Sequence, residues 1–451
     1  MSNILNSLNP LRSQNAPLES IERILNAALH AADPYLAVQK NLVCNLPQLN
    51  IGNKAYSLYP DSRIFVVAIG KASLAMADAA VDRLSDQIEC GLCVCKHNPS
   101  KRETIGRLEI VQGSHPVPDQ KSVIAANRIK DMVVGLNERD VVVLLISGGS
   151  SALVCLPAHG IDLRDIQTVT AGLMTAGASI NELNMVRKHL DNIKGGGLLK
   201  MAFPAQVAAL VISDVVGSPL DVIASGPAFP DPTTFNDAIQ ILERFFVKET
   251  IPFPVLDRLK RGRKGEVEET LKLDDPMNQK AYHTIIASNQ ESAQKAFSIA
   301  QQSGFQSEMI TCELTCEARL AGEYLADHIS KLPEHNTPYV GIAGGETTVK
   351  VKGNGIGGRN LEVALGAVRK MNRLKNALLI TLATDGEDGP TDAAGAFVTS
   401  ETLNQACQQG LDPDSFLANN DAYNFFKEIG GLIITGPTGT NVNDLNFIFR
   451  Y

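Results

Sequence analysis

Four stretches of this chain follow apolar runs and pair glycine with residues able to do chemistry: GKAS at 70–73, SGGSSA at 147–152, SDVVGSPLD at 213–221 and ATDGEDGPTD at 383–392. In open α/β sheets, ligands bind at such strand ends. Lys71 stands between the run IFVVAIG and the helical pattern LAMADAAVDRL. A cation at a helix N-terminus opposes the dipole unless an anion lies nearby; the plainer reading is a lysine reaching into solvent. The stretch is not a Walker P-loop, which would need glycine at Phe65 and Ser or Thr at Ala72. Arg359 poses the same question, because it opens RNLEVALGAVRK directly after the glycines of GNGIGG. Its guanidinium can hold a phosphate or carboxylate through two parallel hydrogen bonds, or it is an ordinary solvated charge.

Gly148, Gly149, Ser150 and Ser151 offer amides and hydroxyls without bulk, which suits a phosphate cradle. The same residues resemble a G-x-S-x-G nucleophile elbow with Ala152 in the last place. That order wants a histidine late in the chain, and the last one, His335, is followed by more than a hundred residues. Asp385, Glu387, Asp388 and Asp392 supply hard oxygens suited to Mg²⁺, with Asx turns as the competing explanation. Asp214 and Asp221 are further carboxylates in the third loop. Cys90, Cys93 and Cys95 with His97 could be metal ligands, but 93 and 95 also alternate as they would on a strand. Cations, an amide cradle and carboxylates together are the components of phosphoryl transfer.

Gly353, Gly355 and Gly358 also satisfy the dinucleotide pattern G-x-G-x-x-G. Two features oppose that reading. TTVKVKG before them alternates polar and apolar residues, which predicts an exposed-face strand hairpinned with YVGIAGG rather than a strand buried on both faces. The carboxylate that should follow about 20 residues on is Asp385, 27 beyond Gly358.

The elements that must position these residues are legible as alternating patterns. LESIERILNAALHAADP has one apolar helical face and stops at Pro34. IFVVAIG, VVVLLISGG and QVAALVIS are continuous apolar runs suited to a parallel sheet covered on both faces. A charged, proline-bearing stretch from about 247 to 280 looks like a surface segment or border. A second alternating series follows, ending with LLITLATDG and LIITGPTG. The expectation is two α/β domains, 1–275 and 276–451, with an inter-domain cleft as the default ligand site.

Composition restricts the function classes. A net charge of −8 gives no global basic field for nucleic acid or an anionic membrane. VVVLLI, among the longest apolar runs, falls far short of the roughly 20 residues that span a bilayer. The first residues lack a secretory or transit pattern, so a cytoplasmic location is expected. Eight irregularly spaced cysteines do not read as a disulfide framework.

IGKAS, ISGGSSAL, VRKHL..IKGGG, SDVVGSPLDVIASGPAFPDPTT, GGETTVKVKGNGIGGRNLEVAL and ATDGEDGPTDAAGAFV follow one another in a single order that extends to about residue 447. The combination resembles the ATP-dependent glycerate 2-kinases whose C-terminal module is called MOFRL. The resemblance implies an N-terminal Rossmann-like domain and a smaller C-terminal α/β domain. It implies transfer of the γ-phosphoryl of ATP, with Mg²⁺, to the 2-hydroxyl of D-glycerate; a monomer or small homo-oligomer is expected. Lys71 and Arg359 match the residues regarded as catalytic and are expected to face each other across the cleft. Gly148–Ser151, Lys194, Gly357 and Gly358 are expected beside the phosphates, with Asp214 and Asp385 as metal ligands. The family has also been labelled hydroxypyruvate reductase, which would require NAD(P)H. Two positions depart from the pattern: Ser218 stands where aspartate is common, and Gly197 where a larger residue is usual.

Overall fold

The continuous apolar runs become the centre of a seven-stranded sheet in which Ile64–Ile69, Val141–Ile146 and Gln206–Ile212 are buried along almost their whole length. A strand with no solvated face has to be apolar throughout, which is why these runs do not alternate. The computed structural model describes residues 4–451 except 15, 247–249, 333–336 and 373, so His335 lies outside the described residues. The strand order is 281–287, 206–212, 141–146, 64–69, 88–95, 108–112 and 104–105. The four pairings from 206–212 to 108–112 are parallel, and the short 104–105 strand adds an antiparallel edge. This sheet belongs to a compact unit spanning Pro34–Ile286. Cys93 and Cys95 are buried on the Ile88–Cys95 strand, and burial lifts the Cys93 thiol to about 12. They are packed thiols; among the described residues no group of three or more His, Cys, Asp or Glu is placed to share a metal ion.

The second unit comprises Met1–Asp33 and Ala287–Tyr451. The expected division at 275/276 therefore differs from the structure at both ends. The Leu18–Ala31 helix buries Ile21, Ile24, Leu25 and Leu29 in one cluster with Ala293, Ala296 and Ala300 of the Asn289–Gln302 helix. Fully burying a Leu or Ile contributes about 1.5–3 kcal/mol, so the N-terminal helix belongs where its apolar face is covered. The charged 247–280 stretch is not a border either. It contains the Phe253–Arg263 helix, whose Val255 and Leu259 join a core with Phe235, Ile239 and Leu242.

The sheet of this unit has six strands in the order 306–314, 339–345, 444–450, 377–383, 395–399 and 432–433. The first pair is parallel and the remaining pairs are antiparallel. The Asp444–Arg450 strand lies between Tyr339–Gly345 and Ala377–Ala383 and has no counterpart in the alternating series read from the sequence. It also displaces the expected hairpin. Both edges of Tyr339–Gly345 are occupied, by 306–314 and 444–450, and TTVKVKG forms no strand, only an isolated bridge from Thr348 to Glu317. Together the units confirm a two-part α/β architecture. Among the described residues no helix is long and apolar enough to cross a membrane.

Two helices set the position of Arg359. Ala318–Ser330 and Arg359–Met371 approach so closely that a Cβ on Gly322 would collide with the Val363 carbonyl, and one on Gly366 with Arg319 backbone. Gly322→Ala is expected to destabilise the protein by about 1–3 kcal/mol through overpacking, read as a lower urea midpoint; an unchanged midpoint would show that the contact relaxes freely.

Candidate active site

In the Pro34–Ile286 unit, the turns after two adjacent parallel strands lock together. The Lys71 amide donates to the Gly148 carbonyl at 2.9 Å, and the Ala72 amide to Ser147 Oγ at 3.1 Å. Ser150 Oγ donates back to the Ile69 carbonyl at 2.9 Å. Strand order reverses here: 88–95 lies on one side of 64–69 and 141–146 on the other. The crevice outside such a switch point is where open α/β sheets bind ligands. Gly70 at φ 132° and Gly149 at φ 86° take conformations open to glycine, and a Cβ on Gly70 would strike Ser147.

Among the described residues, the amides of Gly148, Gly149, Ser150 and Ser151 make no hydrogen bond. Four successive amide donors at one turn form a ready anion cradle. The Lys71 side chain is exposed beside it and passes close to Gly149. The serine hydroxyls are committed inward. Ser150 Oγ faces backbone carbonyls, while Ser151 Oγ meets Ser225 Oγ at 2.8 Å, which in turn donates to Asn184 at 3.1 Å. Among the described residues neither hydroxyl meets the histidine that a nucleophile elbow would require.

His115 escaped the sequence reading because its stretch, SHP, matches no motif and it reaches the loop only through the fold. A Cβ built on Gly149 would lie 3.1 Å from its ring. Burial, reinforced by Lys71, Lys96 and Arg187, pushes His115 down to about 4, so the ring is neutral at neutral pH. Asp214 presses its carboxylate against Gly148, which is why a side chain there would not fit. Lys194 is a correction. Its ammonium is buried, ion-paired with Asp191 and bonded to the Val154 carbonyl at 3.0 Å, so it braces the loop instead of facing a ligand. Ser218 adopts φ 51°, a left-handed conformation, and its amide closes a turn onto Val215.

In the other unit, Arg359 does open a helix, and the helix end is already neutralised. Asp388 accepts from the Asn360 amide at 3.1 Å and the Leu361 amide at 2.8 Å. Arg359 itself pairs with Glu346, and its Nε with Asp444 at 3.1 Å. The glycines before it make room for the chain's own backbone. Gly353 and Gly355 abut Asn419, Gly357 lies against residues 420–422, and a Cβ on Gly358 would collide with Asp388. Asn419, Asn420 and Asp421 accept from the amides of residues 352–356, which holds the end of TTVKVKG and the glycine loop after it. Asp385 accepts from the Glu387 amide at 3.2 Å as an Asx turn would, and the Asp392 carboxylate takes the Tyr423 hydroxyl at 2.8 Å.

Residues 20–260 match the family model described as a domain of unknown function (DUF4147), and residues 339–444 match the MOFRL family. The chain is 42% identical to D-glycerate 2-kinase of Thermotoga maritima over 94% of its own length and 95% of that protein. The chain belongs to the glycerate kinase family. A crystal structure of glycerate kinase from Thermotoga maritima has the same fold, with a TM-score of 0.83 at 40% identity, covering 96% of this chain and 99% of that one. A family relative from Agrobacterium vitis, provisionally named hydroxypyruvate reductase, is 38% identical over 95% of this chain and 93% of its own length.

Mg²⁺ is usually held by one or two carboxylates plus substrate phosphates. Asp214 places a hard oxygen donor against the Gly148–Gly149 turn, so the donor chemistry suits the ion there without any three-carboxylate cluster.

Burial raises Asp444 to about 7, although Arg359 opposes the shift. Its folded value lies above the unfolded carboxylate value near 4. The native chain therefore keeps a proton that the unfolded chain loses, and stability falls as pH rises from about 4 to 7. Denaturant unfolding from pH 4 to 8 should show the wild type losing stability relative to Asp444→Asn. Parallel pH profiles would refute the shift.

Proposed function

We propose that the chain is a glycerate 2-kinase that transfers the γ-phosphoryl of ATP to the 2-hydroxyl of D-glycerate, giving 2-phospho-D-glycerate and ADP. The observation that carries this reading is the row of four unengaged amides at Gly148–Ser151 beside the Lys71 ammonium, at the switch point of a parallel sheet. The amides hold phosphate oxygens, and Lys71 supplies positive charge to the transferring group. A bond forms from the 2-hydroxyl oxygen to the γ-phosphorus as the bond to ADP breaks, and the hydroxyl proton leaves to solvent. A loose transition state of this kind makes little demand on a base and much on charge and position. Arg359, charged and held by Glu346 and Asp444, contributes a second cation whose orientation is set before substrate binds. Asp214 would hold Mg²⁺, with Asp385 the candidate ligand in the other unit; the ion, when bound, neutralises phosphate charge.

The dinucleotide reading loses its support from the geometry of GNGIGG, whose glycines pack on residues 388 and 419–422. The enzyme is expected to act on a small molecule in the cytoplasm, as a monomer or small homo-oligomer.

The test is incubation with ATP, Mg²⁺ and D-glycerate, with the product coupled to enolase in the absence of a phosphoglycerate mutase. Signal requires the 2-phospho isomer. Silence in this assay together with NADH oxidation on hydroxypyruvate would establish the reductase reading instead. Lys71→Met and Arg359→Ala should each lower kcat by about 10²-fold or more while remaining folded. Near-wild-type turnover in either variant would remove that residue from the chemistry.

A further inference from the structure

The Ile180–Leu190 helix ends in three consecutive basic residues, Arg187, Lys188 and His189, all buried. Two of them face carboxylates. Lys188 lies 3.2 Å from Asp231 and 3.4 Å from Asp221, and His189 Nε2 lies 3.3 Å from Glu269. Arg187 has no such partner among the described residues. It is only 9% exposed, and its one hydrogen bond runs from Nε to the Thr170 hydroxyl at 3.5 Å. Its other near neighbours supply little. The Cys155 thiol is held neutral by burial, and Asp191 is committed to Lys194 and to the amides of Leu156 and Ile193. The terminal guanidinium nitrogens meet no hydrogen-bond acceptor among the described residues.

A buried charge left unpaired costs several kcal/mol, and the fold keeps this one. Its direction is set by the helix. Asn184, three residues earlier and therefore on the same face, bonds to Ser225, which bonds to Ser151 in the amide cradle. The face that carries Arg187 is thus tied to the phosphate loop. His115, whose ring lies against Gly149, is influenced by both Lys71 and Arg187, so the Arg187 charge acts within electrostatic reach of the phosphate loop.

We propose that Arg187 binds the carboxylate of the acceptor, receiving its two oxygens on the planar guanidinium and turning the 2-hydroxyl toward the phosphoryl group held at Gly148–Ser151. The inference rests on the glycerate 2-kinase reading and assigns within it the residue that selects a carboxylate-bearing acceptor. Lys71 and the amides are then left for phosphate.

The experiment compares wild type and Arg187→Met for kcat and KM with D-glycerate, with its uncharged methyl ester, and with ATP, alongside thermal melting. Loss of a buried charge contact should raise KM for D-glycerate on the order of a hundredfold. KM for ATP should stay within about threefold, since ATP does not meet this group. The preference of the wild type for D-glycerate over the ester should collapse in the variant, a change that a merely structural residue would not produce. Should Arg187→Met not fold, Arg187→Lys keeps the charge without the fork and should raise KM for D-glycerate by about tenfold, again without moving ATP. KM for D-glycerate within about threefold of wild type, or equal losses with acid and ester, would overturn the assignment while leaving the kinase reading intact. A wild type that does not phosphorylate D-glycerate would overturn both.

Discussion

The turns that follow two neighbouring parallel strands hydrogen-bond to each other, and this interlock holds the candidate phosphate site together. The Lys71 amide is fixed on Gly148, the Ala72 amide on Ser147, and Ser150 reaches back to Ile69. Because the two strands run parallel and in register, their carboxyl ends coincide, and neither turn could hold this shape without the other. With the turns held by carbonyls and hydroxyls, the amides of Gly148–Ser151 meet no acceptor among the described residues. The glycines are required by the geometry: Gly149 lies at positive φ, and Gly148 has no room for a side chain beside Asp214.

Charge is managed in opposite ways in the two units. Around the amide cradle Lys71, Lys96 and Arg187 act on one neutral histidine, and none of the three cations forms an ion pair among the described residues. A field of that sign, partly shielded from water, favours an anionic ligand. Arg359 is instead surrounded by Glu346, Asp444 and Asp388, with Asp388 also capping the helix that Arg359 opens. Its orientation is fixed by the protein, which suits a group that must be in position before charge develops.

The buried strands, the Lys71 turn, the amide loop and the Arg359 helix were all legible in the sequence, the first three from an apolar run followed by glycine and the last from the helical pattern RNLEVALGAVRK after GNGIGG. Continuous Val, Ile and Leu announce a strand covered on both faces, and the residues just beyond its end announce a site. The Asp444–Arg450 strand was not legible, since it has neither a preceding helix nor a glycine-rich turn of the same kind; it is identified by pairing with two strands far away in the chain. TTVKVKG erred in the other direction. Its alternation is real, but both edges of its expected partner are occupied, and the Asn420 side chain takes the amides of Lys352 and Gly353 instead.

By itself the sequence determined the two-part α/β plan and which short loops carry the cations, because patterning, turn chemistry and charge are properties of neighbours in the chain. Only the tertiary structure decided what each charge meets. It put Lys194 against Asp191, Arg359 against Glu346 and Asp444, and the GNGIGG glycines against residues 388 and 419–422. It also brought His115 to Gly149 and left Arg187 buried without a carboxylate partner among the described residues. The physical reason is that a side chain's electrostatic partners are chosen by packing between segments tens to hundreds of residues apart.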